Sequence, residues 1–166
     1  MMIRYAVPDD TGPVAEIYVK NHREVYRGLL PDEYFSVMTQ ERAADKWREY
    51  LKDSDRKLWV ACEGNTLLGF AAGMKDPELP DTWYLDSLHT SSDARGRGIG
   101  TSLIRTVCDY AAENGYSRVS VCIVKGNERA KALYLKLGAE HYKDFDDDFC
   151  GTVSHSEKLI WNGPCK

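Results

Sequence analysis

Alternating apolar and polar positions open the chain. Residues 2–7 (Met-Ile-Arg-Tyr-Ala-Val) read as a first strand, stopped by Pro8, Asp9 and Asp10. The period then becomes helical. Asp9, Asp10 or Thr11 supplies a cap with Pro13 in the first turn, and Val14, Ile17, Tyr18, Asn21 and Val25 recur on one mixed face before Gly28 ends it. A short helix starts over residues 30–35. Thr39 caps another over 40–51, whose Ala43, Ala44, Trp47 and Tyr50/Leu51 form a buried stripe. Residues 57–63 and 66–74 predict a hairpin across Gly64 and Asn65, with Gly69 and Gly73 marking a bulge. A loop with Pro77 and Pro80 follows, then a strand from Trp83 to His89.

Ile99, Leu103, Val107 and Tyr110/Ala111 carry a helix to about Asn114, closed by Gly115. Residues 117–124 are the next strand and 127–137 the next helix, ended by Gly138. Residues 139–145 and 152–161 predict a closing hairpin, joined through the acidic run 144–148. No repeat or linker divides the chain, so residues 1–166 are expected to form one domain.

Within this pattern the segment Arg95-Gly96-Arg97-Gly98-Ile99-Gly100-Thr101 lies between a strand and a helix. Alternating glycines let backbone approach a bulky anion, and the first turn of a helix offers N–H groups without internal partners. Arg95 and Arg97 add mobile positive charge there. A Walker loop would need Gly-Lys-Ser/Thr after the glycines, and none follows. A dinucleotide fingerprint would need an acidic residue at the end of a second strand, whereas Asp109 and Glu113 fall within the helix.

Composition narrows the field. An apolar share of 43% and a charged share of 29% are those of a globular domain, and a net charge of −4 argues against nucleic acid or an anionic membrane as partner. No apolar run reaches spanning length and the start is not that of a signal peptide, so a cytoplasmic location is expected. Five cysteines (Cys62, Cys108, Cys122, Cys150, Cys165) form no CxxC pair, giving neither a disulfide framework nor a metal site. Cys62, Cys108 and Cys122 sit in apolar patterns, where cysteine acts as a small hydrophobe.

The run Arg95-Gly96-Arg97-Gly98-Ile99-Gly100 resembles the acyl-CoA loop, Gln/Arg-x-x-Gly-x-Gly/Ala, of the Gcn5-related N-acetyltransferase (GNAT) superfamily. Residues 127–139, from Asn127 through Ala130, Leu133, Tyr134 and Lys136 to Gly138, resemble that family's second block, and 26–31 resemble an element of one bacterial subgroup. The resemblance covers about residues 2–161. It implies an α/β (α+β) fold: a mixed, mostly antiparallel central sheet of about seven strands flanked by helices, with a splayed strand pair that binds acyl-CoA.

It implies acetyl-CoA as cosubstrate, no metal, and an acetyl group moved to a primary amine by direct attack in a ternary complex. Leu88 and Thr90 would supply main-chain contacts to pantetheine, with His89 between them pointing to the other side. Leu88 N–H would also face the thioester oxygen. Residues 95–101 (Arg95, Gly96, Arg97, Gly98, Ile99, Gly100, Thr101) would hold the diphosphate, Asn127 the pantetheine or phosphate region, and Tyr134 the departing sulfur. Such domains can also dimerise through their last strands.

Three residues compete as the base. Asp86 shares side-chain parity with Leu88 and ranks first; His89 projects to the opposite face from Asp86 if the strand is regular; His22 adjoins the expected acceptor wall. Tyr26, Trp83 and Tyr84 are candidates to shape the acceptor pocket, and the acidic run 144–148 a candidate to attract a cationic amine. A non-catalytic acyl-CoA sensor, another acyl group or a hydroxyl acceptor would use the same fold.

Overall fold

Period-two stretches rich in β-branched and aromatic residues form one sheet in the order β1-β2-β3-β4-β5-β7-β6. The computed structural model describes residues 1–149, 151–163 and 165. The strands are β1 (Met2–Tyr5), β2 (Arg56–Glu63), β3 (Thr66–Lys75), β4 (Thr82–Thr90), β5 (Arg118–Val124), β6 (Glu140–Phe149) and β7 (Thr152–Trp161). Only β4 and β5 run parallel; the other neighbours are antiparallel. The helices are α1 (Thr11–Val25), α2 (Asp32–Val37), α3 (Gln40–Lys52), α4 (Ile99–Glu113) and α5 (Glu128–Lys136).

Alternation along the strands feeds two apolar layers. Ala71, Leu85, Val119, Val121 and Leu159 pack with α4 residues Ile99, Leu103, Ile104 and Val107 and with Tyr134 of α5. On the other face Leu58, Val60, Phe70 and Ala72 meet Val14, Tyr18, Ala43 and Trp47 of α1 and α3. The expected stripe of α3 is thus the buried one, and Thr39 caps that helix by accepting from Arg42 N–H. Among the described residues no helix is long and apolar enough to cross a membrane.

The expected bulge falls between Ala72 and Gly73, and its extra residue is on the partner strand. Ala72 faces Ser87 and Gly73 faces Leu85, so Asp86 is left over. A Cβ on Gly73 would stand 2.3 Å from Nε1 of Trp83, so this position needs a residue without a side chain. The bulge overturns the expectation that Asp86 and His89 diverge. Asp86 interacts with Lys46 and Tyr50, while His89 packs on Phe70 at 5.1 Å and on Tyr18 at 5.5 Å, so both face the α1–α3 side.

Three further differences follow from pairing that single residues do not announce. The acidic run lies in edge strand β6, not in a connecting loop, with Asp144 paired to Lys125 at 3.0 Å and Asp146 to His155 at 2.6 Å. Charges on an edge strand deter further pairing. Cys108 of α4 and Cys165 are joined in a disulfide, where Cys108 was expected as a free small hydrophobe; Cys150 lies outside the described residues. Trp83 and Tyr84 do not shape the cavity described below: Trp83 packs against Tyr110 and Tyr116, and Tyr84 adjoins Cys122.

Candidate active site

The β4–β5 ladder ends early. Parallel pairing runs from Thr82↔Arg118 to Leu85↔Val121 and stops, while β4 stays paired to β3 as far as Thr90. Ser91 N–H donates to the Leu68 carbonyl at 2.8 Å, so strand alternation turns the peptide groups of His89 toward β3. Those of Leu88 and Thr90 then face the gap. Asn21 Nδ2 donates to the Thr90 carbonyl at 2.9 Å, and the N–H groups of Leu88 and Thr90 are the unladdered donors between the strands.

This gap belongs to a cavity of about 640 Å³, within the range of small-molecule sites. One end is the N-terminus of α4. Gly98, at φ 76°, takes the left-handed conformation there and accepts from Ser102 N–H at 3.0 Å, so its lack of a Cβ suits the turn. Arg95, Gly96, Gly98, Ile99, Gly100 and Thr101 all line the cavity, although the Ile99 side chain is buried in the core. Arg97 does not: its guanidinium turns away to Glu63 at 2.6 Å. Nor is Arg95 without partners, since it donates to Asn21 Oδ1 and Glu24, each at 3.0 Å. Arg129, on α5, also lines the cavity and was not anticipated.

α5 supplies the opposite wall. Asn127 caps it by accepting from Ala130 N–H at 3.4 Å, and Tyr134 is 5% exposed with its ring edge-on to Trp161. Burial, and then proximity to Tyr26, push the Tyr134 phenol up, so it is protonated at any ordinary pH. Tyr26, which the sequence offered as a pocket residue, does line the cavity.

The α1–α3 end is aromatic and charged. Tyr18, His22, Tyr26 and Tyr34 line it with Lys46, Asp86 and His89. His22 is held by its Nδ1, which meets the Tyr18 carbonyl at 2.8 Å, and burial brings its pKa down to about 4. His89 is driven well below the usual histidine range, first by burial and then by the neighbouring His22 and Lys46. Burial likewise raises Asp86, against the pull of Lys46 and Arg56. All three candidate bases therefore share one compartment. Lys46 and Asn21 escaped sequence reasoning; the first sits beside Trp47 on an otherwise apolar stripe, and the second reads as part of a mixed helix face.

Away from this cavity His141, Asp144 and Glu157 approach within 4.8 Å of one another. Lys125 already pairs with Asp144 at 3.0 Å and Lys131 with Glu157 at 2.7 Å.

Comparison with known proteins fits this geometry. Residues 22–139 match the model of the Acetyltransferase (GNAT) family. Rat (Rattus norvegicus) N-acetyltransferase 8F1 is 32% identical over 109 residues, covering 64% of this chain and 49% of the relative, so the chain spans about half the length of the curated relatives it matches. A ribosomal-protein-alanine N-acetyltransferase from Brucella melitensis superposes with a TM-score of 0.79 at 20% identity, over 98% of this chain and 99% of the other. A Salmonella typhimurium acetyltransferase solved with its cofactor acetyl-CoA gives 0.75 at 17% identity, over 98% and 93%. With its family model spanning both the glycine turn and the Tyr134 helix, the chain belongs to the acetyltransferase (GNAT) family.

Proposed function

We propose that this chain transfers an acetyl group from acetyl-CoA to a primary amine. The observation that carries this reading is one cavity that joins three features: a strand gap, a helix N-terminus and a buried tyrosine hydroxyl. Diphosphate at residues 95–101 would meet amide N–H groups and the helix dipole. The pantetheine arm would lie in the gap beside Leu88 and Thr90, near Asn127.

The chemistry then needs a base, an oxyanion donor and an acid. An amine with a lysine-like pKa of ~10.4 is mostly protonated at pH 7, so nucleophilic attack requires that a proton first leave it. Asp86 accepts that proton, directly or through water. Leu88 N–H stabilises the charge that gathers on the thioester oxygen as the C–N bond forms. The second proton leaves nitrogen to solvent once the C–N bond has formed. Tyr134 then donates to the departing sulfur as the C–S bond breaks and is reprotonated from solvent, while Asp86 releases the first proton there.

Acetyl-CoA at millimolar concentration is expected to raise the melting temperature by mass action; no shift would remove the cofactor assignment. An amine panel read by thiol release and product mass then tests transfer, and binding without acceptor-dependent release would mark a sensor. Tyr134→Phe should lower kcat by about 10²-fold with CoA affinity little changed. Unchanged turnover, with chemistry rate-limiting, would remove the acid role.

A further inference from the structure

The α1–α3 end of the cavity holds a cation to which the steps above give no contact with the reacting groups. Lys46 reaches from α3 across two rings, its Nζ 4.6 Å from the centre of Tyr18 and 4.9 Å from that of Trp47. It donates to the Tyr18 hydroxyl at 3.0 Å. An ammonium has three donors, and no carboxylate among the described residues comes within 4.0 Å of this one. Asp86 acts on it only across the compartment. The other cation near Asp86 is already matched, since Arg56 pairs with Asp53 at 3.2 Å and lies over the Tyr50 ring at 5.0 Å.

Lys46 is an exposed residue in the cavity lining, so an anion that enters there meets an ammonium with donors to spare. The phosphates of CoA are poorly placed to be that anion. They would sit beyond Thr90, roughly 13 Å along β4 from Asp86 at about 3.3 Å per residue. Leu88, and with it the thioester, lies between the two.

We propose that the acceptor is an amine carrying a carboxylate close by, as in a free α-amino acid, and that Lys46 seats that carboxylate. This rests on the transferase reading above. The carboxylate bridges to the Lys46 ammonium, and the amine is thereby turned toward Asp86 and the Leu88 end of the gap. Lys46 is a specificity residue, with the Tyr18 hydroxyl fixing its ammonium.

The test uses matched amines: a set of amino acids, their carboxamides and the corresponding decarboxylated amines, each assayed with acetyl-CoA. The acids should exceed their carboxamides in kcat/KM by about tenfold or more, the scale of a charge-assisted hydrogen bond. Lys46→Met should bring that ratio to near one through KM, and Lys46→Arg should retain it. Calorimetry of the same amino acids with the CoA-bound protein reads the site without turnover; binding should be present in the wild type and lost in Lys46→Met. Equal use of acids and carboxamides would overturn the assignment. So would a Lys46→Met variant that slows every amine alike with a displaced pH profile, because Lys46 would then serve only to keep Asp86 ionised. Lys46-dependent amino-acid binding with no acetylation would instead remove the transferase reading and leave the carboxylate site standing.

Discussion

Asp86 carries its charge into a compartment where burial raises its pKa despite Lys46 and Arg56. A carboxylate with a raised folded-state pKa contributes stability that is fully present below its unfolded value of ~3.9 and is lost as pH rises through the folded value. Ionised Asp86 therefore destabilises the fold at neutral pH, a cost that the proposed role as base would account for. Asp86→Asn should melt at or above the wild-type temperature at pH 7, with the gain gone by about pH 4, while acetyl transfer falls by about 10²-fold or more. A variant that melts well below wild type at pH 7 would show that the carboxylate holds the fold and not the chemistry. His22 is neutral at pH 7, its pKa being brought down to about 4, so it adds no ionisation of its own to a kcat/KM profile near neutrality.

The element that aims this residue is the one-residue offset in β4. Gly73 admits the Trp83 indole, the indole packs against Tyr110 of α4, and the extra residue turns Asp86 to the same side as His89. Gly73→Ala should cost about 1–3 kcal/mol, the range for overpacking, as read by denaturant melts. Adding Trp83→Phe should restore part of that loss, because the clash is with the indole ring; strictly additive losses would refute the contact as its cause. Much at this scale was legible in the sequence. The spacing of Ala43, Trp47 and Tyr50 marked the face that α3 buries, and the glycine turn marked the start of α4. What escaped was set by partners distant in sequence. A strand's own alternation cannot reveal that its neighbour leaves Asp86 unpaired. Lys46 looks like a solvated helix residue until Tyr18 lies beneath it, and Arg95 and Arg97 look free until Glu24 and Glu63 come beside them.

Across the whole molecule, the sheet divides at the place where the cavity opens. Among the described residues the ladder between the half containing β1 to β4 and the half containing β5, β7 and β6 is four parallel residue pairs, from Thr82↔Arg118 to Leu85↔Val121. Asp76, which follows β3, spans the division: it meets Lys158 of β7 at 2.7 Å and accepts from Ser120 of β5. Burial pushes the Asp76 carboxyl up, but hydrogen bonds from Lys158, Ser120 and the N–H groups of Leu79 and Glu78 outweigh it and hold the pKa below the usual carboxylate value. A lowered carboxyl contributes stability above its unfolded value of ~3.9 and loses it as pH falls through the folded value, so the junction is expected to weaken below about pH 4. Lys158→Met removes the cation and leaves Asp76 charged with a side-chain exposure of 0%, which should cost about 3 kcal/mol at neutral pH. The Ser120 that Asp76 accepts from pairs with Tyr84, one step before the ladder ends, so that variant should also loosen acetyl-CoA binding at temperatures well below its melt. Asp76→Asn with Lys158→Met, which removes both charges, should recover most of the stability in the same melts. A double variant no better than Lys158→Met alone would show that the sheet halves are held by the ladder and the apolar layers, with the ion pair incidental to the opening of the gap.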